Sequence, residues 1–449
     1  MSDPIKFLFT MWDGGGTVPP ELGVAKRLVA RGHSVRVLAD PVIEDEARAA
    51  GCTFSPWTTA PHRTTRDRSG DIIRDYDAGS PLKMMATYMK LFLAEPAPRW
   101  AADTLAELEA RRVDVFVTDQ MLPATNIAAE KLGLPRAAIS PQIWMLPTPG
   151  LPPLGTGLRP AGGPFGRMRE AGIRWVMTRL FDKALPAFNA TRASYGLPPV
   201  RSTFEQMLRV DATYVLTSPA FDFTTKFMPK NVFYAGPVLD DPSWSEPWHS
   251  PWEPGDARPL VLVGLSSQYQ RQAETLQRIV DALAMLPVRA LVTLGTALSP
   301  DEVRGTANVV VVRSAPHAEV LRDASLLVTH CGHGTVMKGL VAGVPLLCVP
   351  MGRDQNDNAV RIVERGAGLC VKPTASVDVI RASVERLLRE PAYRDAARHL
   401  GAAIAGRDGC VDVVQSLERL ARRHSNARSA DEGAKAKAPH GNVLVRSKV

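Results

Sequence analysis

Cysteine is scarce in this sequence. Its 449 residues include Cys52, Cys331, Cys348, Cys370 and Cys410, an odd number, widely spaced and mostly set in apolar segments. This distribution is typical of reduced thiols in the cytoplasm, and it argues against the disulfide framework of a small secreted domain. The chain also lacks any CxxC or HxxxH pair. We therefore expect no metal site.

Long apolar runs are missing as well. No stretch of 18 apolar residues occurs, and a helix that crosses a bilayer would need one. The N-terminal sequence MSDPIKFLFT places Asp3 ahead of a short apolar run, which suits a first β-strand better than a signal peptide. These features predict a cytoplasmic protein.

Positive charge is concentrated at one end of the chain. The formal net charge is +8, and residues 422–449 contribute +5 of it, through seven Lys and Arg residues against Asp431 and Glu432. We expect residues 425–449 to form a disordered basic tail, with at most weak peripheral contact with a membrane or an acidic partner. The remainder is nearly neutral, which argues against a nucleic-acid partner.

Length and composition predict two α/β domains. A chain of 449 residues exceeds one ordinary domain, and 45% hydrophobic with 22% charged residues is typical of a globular protein. The first half opens with a strand at residues 7–11, a glycine-rich loop at 13–20, a helix at 21–30 and a strand at 34–39. This βαβ pattern recurs near residues 113–140, so we expect a parallel sheet.

A second series of strands and helices begins near residue 260. Its apolar strands are predicted at residues 260–265, 289–294, 309–312 and 326–329. Residues 235–259 are rich in proline, tryptophan and acidic residues, as expected of an interdomain connector. The predicted units are an N-terminal domain at 1–237, a linker at 238–258 and a C-terminal domain at 259–407.

One segment contains the outline of a phosphate site. Residues 326–329 form an apolar run typical of a buried strand, and the chain then turns at His330, Gly332 and Gly334 before Thr335 opens a short helix. Free backbone N–H groups and the helix dipole at such an N-terminus favour a negatively charged ligand. His330 offers a further hydrogen bond. This turn therefore predicts a seat for phosphate.

A second strand ends at the same edge of the predicted sheet. Residues 344–349 are apolar and stop at Pro350, which brings Asp354 and Gln355 to the edge where open α/β sheets bind ligands. A carboxylate next to an amide suits a ligand with several hydroxyl groups. Together with the phosphate seat, this pair predicts a site for a sugar diphosphate.

These residues resemble the donor signature of the family 1 nucleotide-sugar glycosyltransferases, which have the architecture called GT-B. The signature is a His, glycines, a Thr or Ser, a Gly-x-Pro strand, an Asp-Gln pair and an Asn. It is matched by His330, Gly332, Gly334, Thr335, Gly343, Pro345, Asp354, Gln355 and Asn358. The resemblance covers about residues 5–424. It implies three more donor-binding residues: Ser266 at the diphosphate, Ala315 at the nucleotide base and His317 in the same loop.

The resemblance implies a fold and a reaction. The fold is α/β, with two doubly wound Rossmann-like domains facing a cleft and a C-terminal helix at residues 408–424 that crosses back to the N-terminal domain. The reaction is an inverting, metal-independent transfer of a hexose or deoxyhexose from a UDP- or TDP-sugar co-substrate. The acceptor is a hydrophobic small molecule such as a polyketide, phenolic, terpenoid or lipid, and no cofactor is implied.

The catalytic base is where the sequence departs from the family. The family places a His in the first loop, in the pattern G-x-G-H-x-x-P, whereas the loop WDGGGTVPP aligns Thr17 with that position. Threonine cannot act as a general base near neutral pH. The candidates are Asp119, where the family keeps an Asp that orients the His, and Asp13 at the end of the first strand, which we favour. Alternatively, the acceptor is reactive enough to need little help, or the protein is inactive.

Apolar side chains outside the predicted sheets are candidates for an acceptor pocket. Trp12 precedes the glycine-rich loop, whereas Met84, Met85 and Trp144 lie in segments that look like insertions over a domain face. The alternative is that these side chains belong to the core. If they line the cleft, the acceptor is apolar and either flat or long.

Other functions and roles stay open on the sequence. Loss of the loop histidine is compatible with a protein that binds a nucleotide sugar without transferring it. A nucleotide-sugar epimerase of the same architecture is a further alternative, although it needs no acceptor pocket. We expect His333 to occupy a position with no specific function, and the alternative is a contact with phosphate or acceptor. We expect Asp40 and His33 to have structural roles.

Overall fold

The computed structural model describes residues 4–77 and 81–436, which form two parallel β-sheets. The first sheet has seven strands: β1 Lys6–Thr10, β2 Ser34–Ala39, β3 Thr53–Pro56, β4 Val115–Asp119, β5 Arg136–Ser140, β6 Ala212–Val215 and β7 Val232–Tyr234. The second has six: β8 Leu260–Gly264, β9 Arg289–Thr293, β10 Val309–Val312, β11 Ala324–Thr329, β12 Leu346–Cys348 and β13 Gly368–Cys370.

Helices pack on both faces of each sheet, so that each sheet has an apolar cluster on either side. The helices that precede the second sheet are α1 Val18–Ala30, α2 Glu44–Ala49, α3 Pro81–Tyr88, α4 Ala97–Ala110, α5 Thr125–Lys131, α6 Pro164–Phe181, α7 Leu185–Ser194 and α8 Thr203–Leu208. Those within and after it are α9 Ala273–Ala284, α10 His317–Val320, α11 His333–Val341, α12 Gln355–Glu364, α13 Val377–Arg389, α14 Pro391–Gly406 and α15 Val413–Ala436.

Both sheets are doubly wound. Their strand orders are β3-β2-β1-β4-β5-β6-β7 and β10-β9-β8-β11-β12-β13, with parallel pairing throughout the named strands. The order reverses between β1 and β4 in one sheet and between β8 and β11 in the other. Ligands of such sheets bind outside the carboxyl ends of the strands at this reversal. The predicted fold class, two Rossmann-like domains, is confirmed.

The sequence pattern explains the central elements. Strands β4 and β8 are buried along their whole length, which is why they are continuous apolar runs rather than alternating ones. Helix α9 buries Leu276, Ile279, Val280 and Leu283. Their spacing of three, four and seven residues forms one apolar stripe toward the sheet.

Several elements differ from the sequence-based expectation. Strands β3, β7 and β13 are short and partly exposed, so they have no long apolar run to reveal them. Residues 83–93, expected to lie over a domain face, are helical and bury Met89, Phe92 and Leu93 in the N-terminal core. Helix α15 continues to Ala436 instead of ending near residue 424. The rest of the predicted tail, residues 437–449, lies outside the described residues.

Helix α15 packs on the N-terminal domain although it follows the C-terminal one. Leu417 and Ala421 are buried in the apolar cluster that surrounds β1 and β2. Glu418 accepts a hydrogen bond from Arg31 Nε at 2.6 Å and lies 2.9 Å from His33 Nε2. The predicted crossing helix is therefore present, and His33 serves to hold it.

A buried ion pair joins the two domains. Arg361 on α12 donates to Asp222 from Nη2 at 2.7 Å and from Nε at 2.9 Å, and their side chains are 4% and 0% exposed. The second carboxylate oxygen of Asp222 accepts a hydrogen bond from the backbone N–H of Trp144 at 3.0 Å and another from the Tyr234 hydroxyl at 3.1 Å. Both oxygens of the buried Asp222 carboxylate thus accept hydrogen bonds, which offset the cost of burying its charge.

Helix α12 makes a second polar contact with the N-terminal domain. Its buried Asp357 accepts from the N–H groups of Gly155 at 2.5 Å and Gly157 at 2.8 Å. Burial raises the pKa of Asp357 to about 6. These bonds hold residues 154–156 against the cleft, where they line its wall.

Candidate functional site

A cavity of about 960 Å³ lies between the two domains. Its lining includes most of the residues that the sequence singled out. The N-terminal domain contributes Trp12, Asp13, Thr17, Met84, Met85 and Asp119, and the C-terminal domain contributes Ser266, Ala315, His317, His330, Gly332, Gly334, Thr335, Asp354 and Gln355. The fold therefore brings the predicted donor and acceptor residues to one cleft.

The turn between β11 and α11 presents backbone amides to the cavity. Gly332 is the N-cap of α11, and no side chain caps this end of the helix. The first intrahelical bond runs from the Val336 N–H to the Gly332 carbonyl at 3.0 Å. The amides of Gly334 and Thr335 precede it in the first turn and have no partner within the helix. This arrangement suits a phosphate group, as the sequence predicts.

His330 lies beside the same turn. Its side chain is nearly buried, and no partner lies within hydrogen-bonding geometry of Nδ1. Burial lowers the pKa of His330 to about 4, against a smaller opposing effect of the Gly264 carbonyl. The ring is therefore neutral at pH 7 and offers one N–H donor. A side chain at residue 332 would crowd this ring, because a Cβ atom there would lie 2.6 Å from His330 Nε2.

The loop that follows β10 carries the residues that are predicted to contact the nucleotide base of the donor. Its buried Ala315 lines the cavity. The next ring, His317, lies with Nε2 3.0 Å from Thr293 Oγ1 and fills the space over Gly264. Burial, followed by the charge of Lys338, lowers the pKa of His317 to about 4. Thr293 orients this histidine and was not predicted.

Asp354 and Gln355 are both on the wall but have different partners. Asp354 Oδ2 accepts from Asn358 Nδ2 at 2.8 Å. Gln355 Oε1 accepts from the N–H groups of residues 351 and 352 at 2.7 and 3.1 Å, and Gln355 Nε2 donates to Gln270 Oε1 at 3.0 Å. Gln355 thus shapes its own loop, and a sugar hydroxyl would reach its amide by replacing Gln270.

Ser266 and His333 play parts in the cleft that their sequence positions do not reveal. Ser266 Oγ accepts from the Gln268 N–H at 3.2 Å and so caps the turn after β8. His333 Nε2 lies 3.3 Å from the Leu216 carbonyl of the N-terminal domain, and its ring lies 5.9 Å from the Phe221 ring. His333 therefore contacts the other domain across the interface, and it also lines the cavity.

Asp13 is held by two arginines at the end of β1. Its Oδ2 lies 3.4 Å from both Arg63 Nη1 and Arg66 Nε, and its Oδ1 accepts from the Gly15 N–H at 3.0 Å. Its own N–H donates to the buried Asp40, whose pKa burial raises to about 7. Both oxygens of Asp13 are therefore engaged by the protein, and the residue anchors the glycine-rich loop.

Asp119, at the end of β4, is paired with a second carboxyl group. Its oxygens accept from Trp12 Nε1 at 3.1 Å and from the Met121 N–H at 2.6 Å. The buried carboxyl group of Glu21 on α1 lies beside it and interacts with it electrostatically, while neither Glu21 oxygen has a partner within hydrogen-bonding geometry. Burial and then the charge of Asp119 raise the pKa of Glu21 well above its usual range, and burial raises that of Asp119 to about 6. Of the two carboxyl groups, Glu21 therefore holds its proton more tightly.

Replacing Glu21 with Gln should change how stability depends on pH. A carboxyl group with a raised folded pKa binds its proton more tightly when folded, so stability falls as the pH rises from the usual 4.5 through the folded pKa. Glutamine fills the same space but cannot titrate. Urea unfolding at about pH 5 and about pH 8 should show a larger loss of stability in the native protein than in the variant. Equal pH dependence would contradict a protonated Glu21.

Thr17 stands where the family has its histidine. Its hydroxyl is buried without a hydrogen-bond partner, and it lines the cavity at the start of α1. Glu21 follows one helical turn later, on the same face of the helix. Thr17 and Glu21 therefore place a hydroxyl and a carboxyl group on one face of the helix, and this loop contains no imidazole.

The N-terminal part of the cavity is an apolar chamber. Trp12, Met84 and Met85 line it as predicted, together with Ile173, Val176, Met177, Leu180 and Phe181 of α6. Trp144 does not line it, which corrects the sequence-based expectation. Its ring is buried in the N-terminal core with Nε1 donating to Thr148 Oγ1 at 2.8 Å. The neighbouring Met145 lines the chamber instead.

Two further side chains link the walls of the cleft. Gln268 Nε2 donates to the Asp13 carbonyl at 3.0 Å, and Gln268 Oε1 accepts from Arg353. Gln268 thus connects the first loop to the loop that precedes α12. Sequence reasoning missed it, although the polar run SSQYQRQ directly after β8 was a signal. Lys338 of α11 pairs with Asp241 of the connector at another point of the wall.

Two other kinds of site, a metal centre and a membrane-spanning helix, are absent from residues 4–77 and 81–436. In that part of the chain, no three or more His, Cys, Asp or Glu side chains are grouped so that they could hold a metal ion. None of its helices combines the length and the apolar character needed to span a membrane. The five cysteines are free thiols.

Comparison with known proteins points to one enzyme class. Residues 277–420 match the family model described as Erythromycin biosynthesis protein CIII-like, C-terminal domain. The chain is 30% identical over 414 residues to 4'-demethylrebeccamycin synthase of Lentzea aerocolonigenes, which covers 91% of this chain and 97% of that protein. Among solved structures, it is similar to the glycotransferase of kitacinnamycin, with a TM-score of 0.72 and 23% identity over 94% of this chain and 100% of that one. It is also similar to glycosyltransferase VinC in complex with DTDP, with a TM-score of 0.71 and 19% identity over 93% of this chain and 100% of that one.

Fold and cleft together define a glycosyltransferase of the GT-B architecture. The identity along nearly the whole of both chains shows that the protein belongs to the family 1 natural-product glycosyltransferases. Its substrates are accordingly a nucleotide-sugar donor and a small-molecule acceptor. The sequence-based prediction of a glycosyltransferase is confirmed.

Proposed function

We propose that the enzyme transfers a hexose or deoxyhexose from a UDP- or TDP-sugar to an apolar small molecule, with inversion at the anomeric carbon. The observation that carries this proposal is one cavity in which the amide turn of α11 and the apolar chamber beside α6 meet. The VinC complex with DTDP supports a TDP-sugar as donor. The apolar lining of the chamber supports a polyketide, phenolic, terpenoid or lipid acceptor.

The donor wall stabilises the leaving group. As the bond between the anomeric carbon and the diphosphate breaks, negative charge grows on the diphosphate oxygens. The amides of Gly334 and Thr335, the Ser266 hydroxyl and the neutral His330 ring are donors fixed in place before the reaction, so they stabilise that charge without reorganisation. The dipole of α11 acts in the same direction.

For the proton we propose Asp119 ahead of Asp13, because protonation of Asp13 would break its ion pairs with Arg63 and Arg66, whereas Asp119 lies beside a second carboxyl group. The acceptor oxygen forms its bond to the anomeric carbon, the carbon–diphosphate bond breaks, and the acceptor proton passes to Asp119. The pair with Glu21 then becomes neutral, which its burial favours. Negative charge moves from the buried pair to the leaving group on the donor wall.

A substrate panel tests this function. The protein is incubated with UDP-glucose or TDP-glucose and with phenols, macrolides and carotenoid-like lipids, while free nucleotide and glycosylated product are followed by mass spectrometry. Product with the anomeric configuration opposite to that of the donor supports the proposal. Donor binding by calorimetry without product from any pair would support an impaired transferase. An epimer of the donor sugar without any glycoside would support an epimerase.

Replacing His330 with Ala should lower kcat by about a hundredfold and raise the donor KM. The reason is that a preorganised donor to the diphosphate is lost while the turn itself keeps its glycines. Steady-state release of the nucleotide measures both constants. His399, an exposed histidine on α14, is the matched control, and His399→Ala should leave both constants unchanged. A donor KM and kcat equal to the native values in His330→Ala would remove His330 from the site.

A further inference from the structure

Helix α6 presents an unusual outer face. Its inner side chains line the acceptor chamber, as described, whereas three large apolar residues point away from the protein. Phe165 is 81% exposed, Met168 is 68% and Trp175 is 61%. Large apolar side chains that lie next to one another on a surface mark a contact with another molecule or a membrane.

These residues form one continuous stripe. At the angular spacing of an α-helix, positions 165, 168, 172 and 175 fall within a sector of about 80°. Gly172 and Ala171 within and beside this sector are exposed too, so no polar side chain but Arg179 interrupts it. The Arg179 guanidinium lies 5.3 Å from the Trp175 ring centroid.

The charges around the stripe have one sign. The exposed Arg179 lies within the sector and the exposed Arg169 lies beside it, whereas Arg167 and Arg174 lie on the far flank of the helix. Glu170 is the acidic residue of this helix, and its side chain is buried on the opposite face. A second copy of the same face would set arginine against arginine, whereas an anionic lipid surface complements it. Aromatic and apolar side chains flanked by arginines are the pattern of a helix that lies in a membrane interface.

We propose that α6 docks this enzyme on anionic phospholipid membranes, with the apolar stripe in the interface and the arginines on the lipid head groups. The acceptor chamber then lies directly behind the membrane-facing helix, where apolar acceptors dissolved in the bilayer are concentrated. This inference goes beyond the transfer reaction, since membrane binding needs neither substrate.

Co-sedimentation with vesicles tests the proposal. The full-length protein should partition into phosphatidylglycerol–phosphatidylcholine vesicles at least about tenfold more strongly than into phosphatidylcholine vesicles, and added salt should weaken the binding. Phe165→Ser/Trp175→Ser should lower the partition coefficient on anionic vesicles at least about tenfold. Met168→Ser should lower it too. Met285→Ser, at a methionine 57% exposed after α9 in the other domain, is the matched control and should not.

The controls separate folding from docking. Each variant should keep its circular dichroism spectrum and its UDP-glucose affinity by calorimetry, because none of the changed side chains touches the donor wall. Absence of partition into anionic vesicles at low salt would overturn the proposal, even if transferase activity is intact. Light scattering that shows a dimer broken by Phe165→Ser/Trp175→Ser, without vesicle binding, would overturn it as well and assign the stripe to a contact between copies.

Discussion

Asp119→Asn is expected to lower kcat by a factor of about 10² to 10⁴ at saturating substrates. Asparagine fills the same space and can still accept from Trp12 Nε1, but it cannot take the acceptor proton. Donor affinity should be unchanged, because Asp119 lies on the opposite wall from the amide turn. Steady-state product formation gives kcat, and calorimetry with the nucleotide sugar gives the affinity.

The pH profile and a second variant make this test specific. A base whose burial raises its pKa to about 6 must lose its proton to act, so native kcat should fall as the pH drops through about 6. Asp13→Asn should lower kcat less than Asp119→Asn does, since Asp13 anchors the loop through Arg63 and Arg66. The opposite ranking of the two variants would restore Asp13, which the sequence favours, as the base.

Asp222→Ala is expected to lower the free energy of unfolding by about 3–5 kcal/mol. The change leaves Arg361 charged, buried and unpaired at the domain interface. It also takes the acceptor away from the Trp144 N–H and the Tyr234 hydroxyl. A urea titration monitored by tryptophan fluorescence gives the difference between variant and native protein.

An exposed ion pair between the same domains provides the control. Arg68 Nη2 lies 2.7 Å from Glu302 Oε1, with side chains 45% and 29% exposed. Solvent screens this pair, so Glu302→Ala should cost less than about 1 kcal/mol. A loss as small in Asp222→Ala as in Glu302→Ala would show that burial adds nothing to the interface pair.

The donor wall could be predicted because its chemistry is local. His330, Gly332, Gly334 and Thr335 lie within one turn of chain, and a strand that runs into a helix through glycines has few ways to fold. The central strands could be predicted for the same reason, because a strand that is buried on both faces is a continuous run of apolar residues. In each case the residues that act together are neighbours in sequence.

The acceptor wall could not be predicted in this way. Glu21 and Asp119 are brought together only by the pairing of β1 with β4. In the sequence, a glutamate in the first turn of a helix looks like a solvated residue. Trp144 and Met145 are adjacent and both apolar, yet one is core and the other lines the chamber. Which of them faces the cleft depends on tertiary packing, for which periodicity has no signal.

The crossing helix means that the N-terminal domain is not one continuous piece of chain. Leu417 and Ala421 supply part of its core, so a ribosome finishes the second domain before it releases the last part of the first. Domain exchange between relatives is constrained in the same way. A chimera cut only in the connector would set a foreign α15 on the first sheet and break the Arg31–Glu418 contact. Exchanging acceptor specificity therefore requires moving α15 together with the first domain.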